Sequence, residues 1–201
     1  MSLRDYQIEA VEQIEAAIAA GQSPLYVLPT GGGKTIIAAA IVDRAVERGQ
    51  RVLILTHRRE ILLQTSSKLG IAHGLLQSGM TLDLEPAALV ASVQTIWARC
   101  IRTNKVPLPA ADIIIVDECH HIRAKTWTGI IERYPEAAVI GLSATPCRGD
   151  GRGLGNNFDR LILGPQIPDL IAKGRLVPTS KCLTAPSTRN RLASSRRAPS
   201  P

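Results

Sequence analysis

Pro29-Thr30-Gly31-Gly32-Gly33-Lys34-Thr35 lies between an apolar run over residues 25–28 and a helical pattern that starts at Lys34. A strand, a glycine-rich turn and a helix in that succession decide the fold class. Three consecutive glycines let backbone amides turn inward, and the helix behind them adds its N-terminal dipole, so the turn can cradle an anion. Downstream, Asp112-Ile113-Ile114-Ile115-Val116-Asp117 reads as a strand buried on both faces of a parallel sheet, followed by Glu118-Cys119-His120.

Working outward, strand and helix signals alternate. Asp5 is placed to cap a helix with Ile8, Val11, Ile14 and Ile18 at helical spacing and Gly21 as its stop. The helix from Lys34 carries Ile36, Ile37, Ala40, Ile41 and Ala45 on one side and runs to Gly49. Residues 52–56 predict a strand, 59–68 a helix, 89–92 a strand, and a helix follows through Ile96 and Trp97. After a loop over 103–109 come the strand at 112–117, a helix over 124–133 and a strand over 138–143. A glycine-rich stretch at 149–155 reads as a mobile loop, 168–173 as a short helix, and 176–177 as at most one more strand. The pattern predicts an α/β domain of three layers, a mainly parallel central sheet flanked by helices with right-handed crossovers. Ligands in such sheets bind at the carboxyl ends of strands, where both polar motifs fall.

Composition narrows the classes. The chain of 201 residues can bury a substantial core, and no apolar run is long enough to cross a bilayer. The start, MSLRDYQ, has no secretory apolar region, so a cytoplasmic protein is expected, with no membrane partner. Cys100, Cys119, Cys147 and Cys182 are scattered without a CxxC pair, which points to free thiols and not to zinc. The net charge of +7 is misleading as a sign of nucleic-acid binding. Residues 179–201 hold five basic residues and no acid, so the body carries nineteen basic against seventeen acidic side chains. That tail is poor in large apolar residues, and the expected organisation is a domain over 1–178 and a disordered basic Ser/Pro/Arg tail over 179–201. His73 is expected to have no role, and Trp97 and Trp127 to be packing anchors. With 3% aromatics, base stacking cannot dominate contact with single strands.

The chemistry follows from residue types. Lys34 supplies a point charge for terminal phosphates of a nucleotide, and the Thr35 hydroxyl can ligate magnesium. The strict phosphate-loop pattern has a glycine five residues before Gly33, and Leu28 stands there instead. Asp117 at a strand end can reach the magnesium ion through its water shell, and Glu118 can polarise the attacking water.

These motifs resemble those of the N-terminal, RecA-like motor domain of superfamily 2 helicases and translocases, the DEAD/DEAH-box group in the broad sense. Arg4-Asp5-Tyr6-Gln7 is similar to the adenine-reading motif, which implies that Gln7 bonds the base with Arg4 beside it. Pro29–Thr35 resembles motif I in a form that lacks the first glycine, and implies nucleotide contacts from Thr30, Gly31, Gly32, Gly33, Lys34 and Thr35. Thr56-His57-Arg58-Arg59-Glu60-Ile61-Leu62 and Ser92-Val93-Gln94-Thr95 are similar to two strand-contacting motifs, implying Thr56, Arg58, Gln94 and Thr95 as nucleic-acid contacts. Asp117-Glu118-Cys119-His120 resembles motif II, with Lys34, Asp117, Glu118 and His120 as the implied catalytic set and Thr35 and Asp117 as metal ligands. Ser143-Ala144-Thr145-Pro146 resembles motif III, in which Ser143 and Thr145 would couple hydrolysis to movement.

The DECH form and residues 148–178 look closer to the excision-repair and restriction-type branch, which implies DNA more than RNA. The implied cofactors are ATP and Mg2+. The resemblance also implies a second RecA-like domain that closes over the nucleotide and brings arginines to it. Only 23 polar, basic residues follow Pro178, so a truncated or frameshifted chain is expected, weak or inactive without that domain on another chain. The alternative is a non-catalytic nucleotide-binding module or remnant that acts only with a partner. A GTPase is disfavoured because Asn104-Lys105-Val106 runs into Pro107 in place of a guanine reader, and a small-molecule kinase would not call for the Tyr6-Gln7 and Ser143–Thr145 motifs.

Overall fold

The computed structural model describes residues 3–79, 83–119, 124–145 and 157–177. Seven strands form one sheet: β1 (Pro24–Val27), β2 (Val52–Thr56), β3 (His73–Leu76), β4 (Ala88–Ser92), β5 (Ile113–Asp117), β6 (Ala138–Ser143) and β7 (Arg160–Leu163). Their order is β3-β4-β2-β5-β6-β1-β7, and every described pair is parallel. The α/β class and the sheet flanked by helices are as the sequence implies, and the sheet is parallel throughout its described pairs.

Alternation along the central strands builds the three layers. Ile54, Val90, Ile115 and Ile140 face one side with α1 (Asp5–Ala19) and α2 (Lys34–Glu47), and Leu62 of α3 (Arg59–Ser66) joins them. Leu53, Leu55, Ala91, Ile114 and Val116 face the other, against the helical segment after β4 and α5 (Ala124–Ile131). Both faces of β2, β4 and β5 are therefore buried, which is why those runs are apolar without a polar alternate.

Several local expectations are corrected. Arg4, not Asp5, occupies the cap position of α1, and its backbone N–H donates to Gln7 Oε1 at 3.0 Å. The helix after β4 is three α-helical residues, α4 (Val93–Thr95), continued by a π-helical segment, Ile96–Arg102. No strand forms at Leu176 and Val177. The amides of Arg175 and Leu176 instead close onto Leu170 O at 2.7 and 3.2 Å, ending α6 (Ile167–Ala172). Two edge strands, β3 and β7, were not anticipated. Trp127 is buried as a packing anchor, and Trp97 is half-buried against Gly129, where a Cβ would lie 2.5 Å from its ring. His73 sits in β3, hydrogen-bonded to Ser66 Oγ at 2.7 Å and to Ile71 O at 2.8 Å. The expected loop at 149–155 and the expected tail at 179–201 lie outside the described residues. Among the described residues no helix is long and apolar enough to cross a membrane.

Candidate nucleotide site at the carboxyl edge of the sheet

The glycine loop leaves β1 and is held on three sides. Leu28 N donates to Ser143 O at 3.0 Å, which ties the end of β1 to the end of β6. Gly32 N closes a tight turn onto Pro29 O at 3.0 Å, and the Tyr6 hydroxyl donates to Gly32 O at 2.6 Å. Gly31 and Gly33 adopt positive φ of 82° and 99°, a region closed in practice to most side chains. At Gly33 the limit is also steric, since a Cβ there would lie 2.5 Å from Gln7 Nε2. Gly33 then caps α2, its carbonyl accepting from the Ile36 and Ile37 amides at 3.0 and 3.2 Å, so the helix N-terminus begins at the loop.

Lys34 is 7% exposed, and its Nζ donates to Leu28 O at 3.2 Å and lies 3.4 Å from Glu118 Oε1. This ion pair spans the gap between the glycine loop and the end of β5. Glu118 has a φ of 51°, in the left-handed region, where a non-glycine residue is strained by about 1 kcal/mol or more. The turn that strain sustains aims its carboxylate at Lys34 instead of leaving it to continue the strand. Beside it, burial and then the Glu118 charge raise the Asp117 carboxyl to about 6, with Lys34 opposing both.

A cleft of about 350 Å³ is lined by Thr30, Gly31, Gly33, Lys34, Thr35, Asp117 and Glu118, with Ile61, Gln64 and Lys68 closing its far side. The donor set fits a hard divalent cation shared with phosphates. Thr35 and Asp117 offer oxygen ligands in one cleft, and magnesium is typically held by one or two protein groups together with substrate oxygens. Asp117 has lost hydration on burial, so a cation would relieve the penalty that keeps its carboxyl raised.

The pH consequence follows directly. The folded-state value of Asp117 is raised above its ordinary 3.8, so its contribution to stability is complete below that value and lost as pH rises through about 6. With chelator present, Asp117→Asn is expected to stabilise the nucleotide-free protein by about 1–3 kcal/mol near pH 8, the gain vanishing near pH 4. Thermal melts of both proteins at the two pH values measure it, and identical melting near pH 8 would contradict the assignment.

The other sequence-assigned residues separate into groups. Gln7 is buried against Gly33, its Oε1 accepting from Arg4 N, while the Arg4 side chain is exposed and donates to the Tyr6 hydroxyl at 3.1 Å. Ser143 is fully buried, and its hydroxyl donates to Thr145 O at 2.6 Å and accepts from Thr145 N at 3.1 Å. Ser143 also hydrogen-bonds the Cys119 thiol, which burial pushes up to about 12 and so keeps protonated. Arg58 and Gln94 are exposed, but Thr56 and Thr95 are buried, at 0% and 5% exposure. His120 and Pro146 lie outside the described residues. Sequence reasoning missed Ile61, Gln64 and Lys68. Ile61 and Gln64 stand three apart on α3, and Lys68 lies in the turn that follows it.

A phosphate-type glycine loop facing a strand-end acid pair across one edge of a parallel sheet defines a RecA-like P-loop domain. The family described as "Type III restriction enzyme, res subunit" matches residues 1–148, and the chain belongs to it. It is 33% identical over 150 residues to a 51.5 kDa protein of a Lactococcus phage (isolate 7-9), covering 75% of this chain and 30% of that one. It is 29% identical over 170 residues to the DNA 3'-5' translocase XPB2 of Sulfurisphaera tokodaii, covering 82% of this chain and 35% of that one. The chain thus spans about a third of the length of these relatives. Among solved structures, the helicase domain of Pyrococcus furiosus Hef superposes with a TM-score of 0.64 at 24% identity, covering 80% of this chain and 38% of that one.

Proposed function

We propose that the chain is the ATP-binding first motor domain of a nucleic-acid-dependent ATPase that acts on DNA. The observation that carries this reading is the single cleft in which the glycine loop, Lys34, Thr35, Asp117 and Glu118 meet. The loop amides and Lys34 bind the β- and γ-phosphates, Thr35 and Asp117 are the residues that would hold Mg2+, and Glu118 takes a proton from the attacking water. Bound magnesium would neutralise phosphate charge. The protein's own contribution is to fix those oxygens and to hold the Glu118 carboxylate beside Lys34. Arg4 and Gln7, next to the loop through Tyr6, are the side chains from which the adenine is read, and Ser143 and Thr145 join hydrolysis to movement. His120, following the acid pair in sequence, completes the proposed catalytic set.

DNA as the polymer is supported by the family described as a restriction enzyme subunit and by the name of the archaeal relative. Arg58, exposed just beyond β2 and beside the exit of the adjacent strand β4, marks the face for its backbone. Cys100 and Cys119 are free, buried thiols, in keeping with the reducing conditions of a cytoplasm.

Among the described residues no arginine lines the cleft, so the transition-state charge calls for a second RecA-like domain, in the same polypeptide or another. An arginine delivered in that way is worth about 10³–10⁵ in turnover. The 201-residue chain alone is therefore expected to bind Mg-ATP and to hydrolyse it far below the ordinary enzyme range of about 1–10³ per second. Steady-state phosphate release with and without duplex DNA tests this, and DNA-stimulated turnover within that range would refute the need for a second domain.

A further inference from the structure

β2 and β4 are neighbouring parallel strands in register to their last residues, Thr56 opposite Ser92. Just past that pair, one side chain crosses between the two exits. Gln94 Nε2 donates to His57 O at 3.0 Å and lies 3.2 Å from His57 Nδ1, while Ser92 Oγ donates to Gln94 Oε1 at 2.8 Å. A carbonyl can only accept, so the amide nitrogen must face His57, and the Ser92 hydroxyl fixes the opposite end of the same amide. Ser92 occupies the cap position of α4 yet makes no side-chain cap bond to that helix. Its hydroxyl orients Gln94 instead.

Both N–H donors of Gln94 are directed at His57, and the remaining acceptor capacity of Oε1 is a poor match for an anionic phosphate. We propose that Gln94 is a positioning brace, not a direct nucleic-acid contact. It locks the turn after β2, which presents the exposed Arg58, to the turn after β4, so that the two turns move as one body. The functional consequence rests on the nucleic-acid reading above, whereas the mechanical claim does not.

The test has two arms. In hydrogen exchange on the full chain without nucleic acid, Gln94→Ala is expected to speed the Leu62 amide, which donates to Arg58 O at 3.0 Å from the same turn, by about tenfold, as loss of two hydrogen bonds to that turn would. Gln94→Glu, which keeps the volume and turns an anion toward the His57 carbonyl, is expected to do the same. Unchanged exchange in both variants overturns the brace. In the second arm, anisotropy of a labelled DNA duplex reads Arg58→Ala alone and in the Gln94→Ala background. Loss of that phosphate contact is expected to cost about tenfold in the native background and about twofold or less without the brace. Equal costs in both backgrounds would make Gln94 an independent contact and refute the proposal. If the native chain fails to bind the duplex, the nucleic-acid reading falls, and the exchange arm still decides the brace.

Discussion

Lys34→Ala is expected to weaken Mg-ATP binding by about 10²–10³-fold, the scale of losing a charge-assisted phosphate contact together with part of the metal site. Two effects combine in that number. The ammonium group is nearly enclosed, tethered to Leu28 O, and held at the height where terminal phosphates would meet the loop. It also lowers the Asp117 carboxyl against the pull of burial and of Glu118. Without it Asp117 holds its proton more firmly and would be a weaker oxygen ligand for magnesium. Isothermal titration with Mg-ATP measures the loss, and circular dichroism shows whether the fold survives. Retained affinity in a folded variant would remove the glycine loop from the site.

Glu118→Gln should separate binding from chemistry. The amide keeps the shape of the side chain at the left-handed position and can still lie against Lys34. It cannot accept a proton from water. Nucleotide affinity is therefore expected to stay within a few-fold while hydrolysis falls by about 10²–10⁴. Because native turnover is expected to be slow, single-turnover cleavage of γ-labelled ATP under excess protein is the suitable readout. Undiminished cleavage would assign the base to another residue.

The parts of this domain that were legible in the sequence are those where one residue type has no substitute. Gly31 and Gly33 occupy left-handed backbone, and Gly33 also abuts Gln7, so the loop shows itself as glycine. Ile113–Val116 is buried on both faces, so that strand shows itself as an unbroken apolar run ending in acids. The edges were not legible, for the complementary reason. In β3 His73 and Leu75 are only half-buried, and in β7 Ile162 alone is buried. Four residues with so little constraint carry no periodic signal.

The site residues divide in the same way. Lys34 after the glycine loop and Asp117 and Glu118 at the end of β5 stand out in the sequence as charges in fixed motif positions, and the fold brings them to one cleft. Thr56 and Thr95 were assigned by motif to an outside ligand, but β2 and α4 turn their side chains inward. Motif position specifies where the backbone runs and leaves open which way a side chain faces. Gln94 shows the same limit, since its partner His57 lies 37 positions away in sequence and becomes adjacent only through the pairing of β2 with β4.

The most direct test of a nucleotide-driven motor domain is the affinity of the 201-residue chain for Mg-ATP, titrated with and without duplex DNA. Binding that needs Lys34 and tightens by about 5-fold or more with DNA is expected, and by linkage ATP must tighten DNA binding equally. Failure of the native chain to bind Mg-ATP, or an affinity indifferent to both Lys34 and DNA, would contradict it.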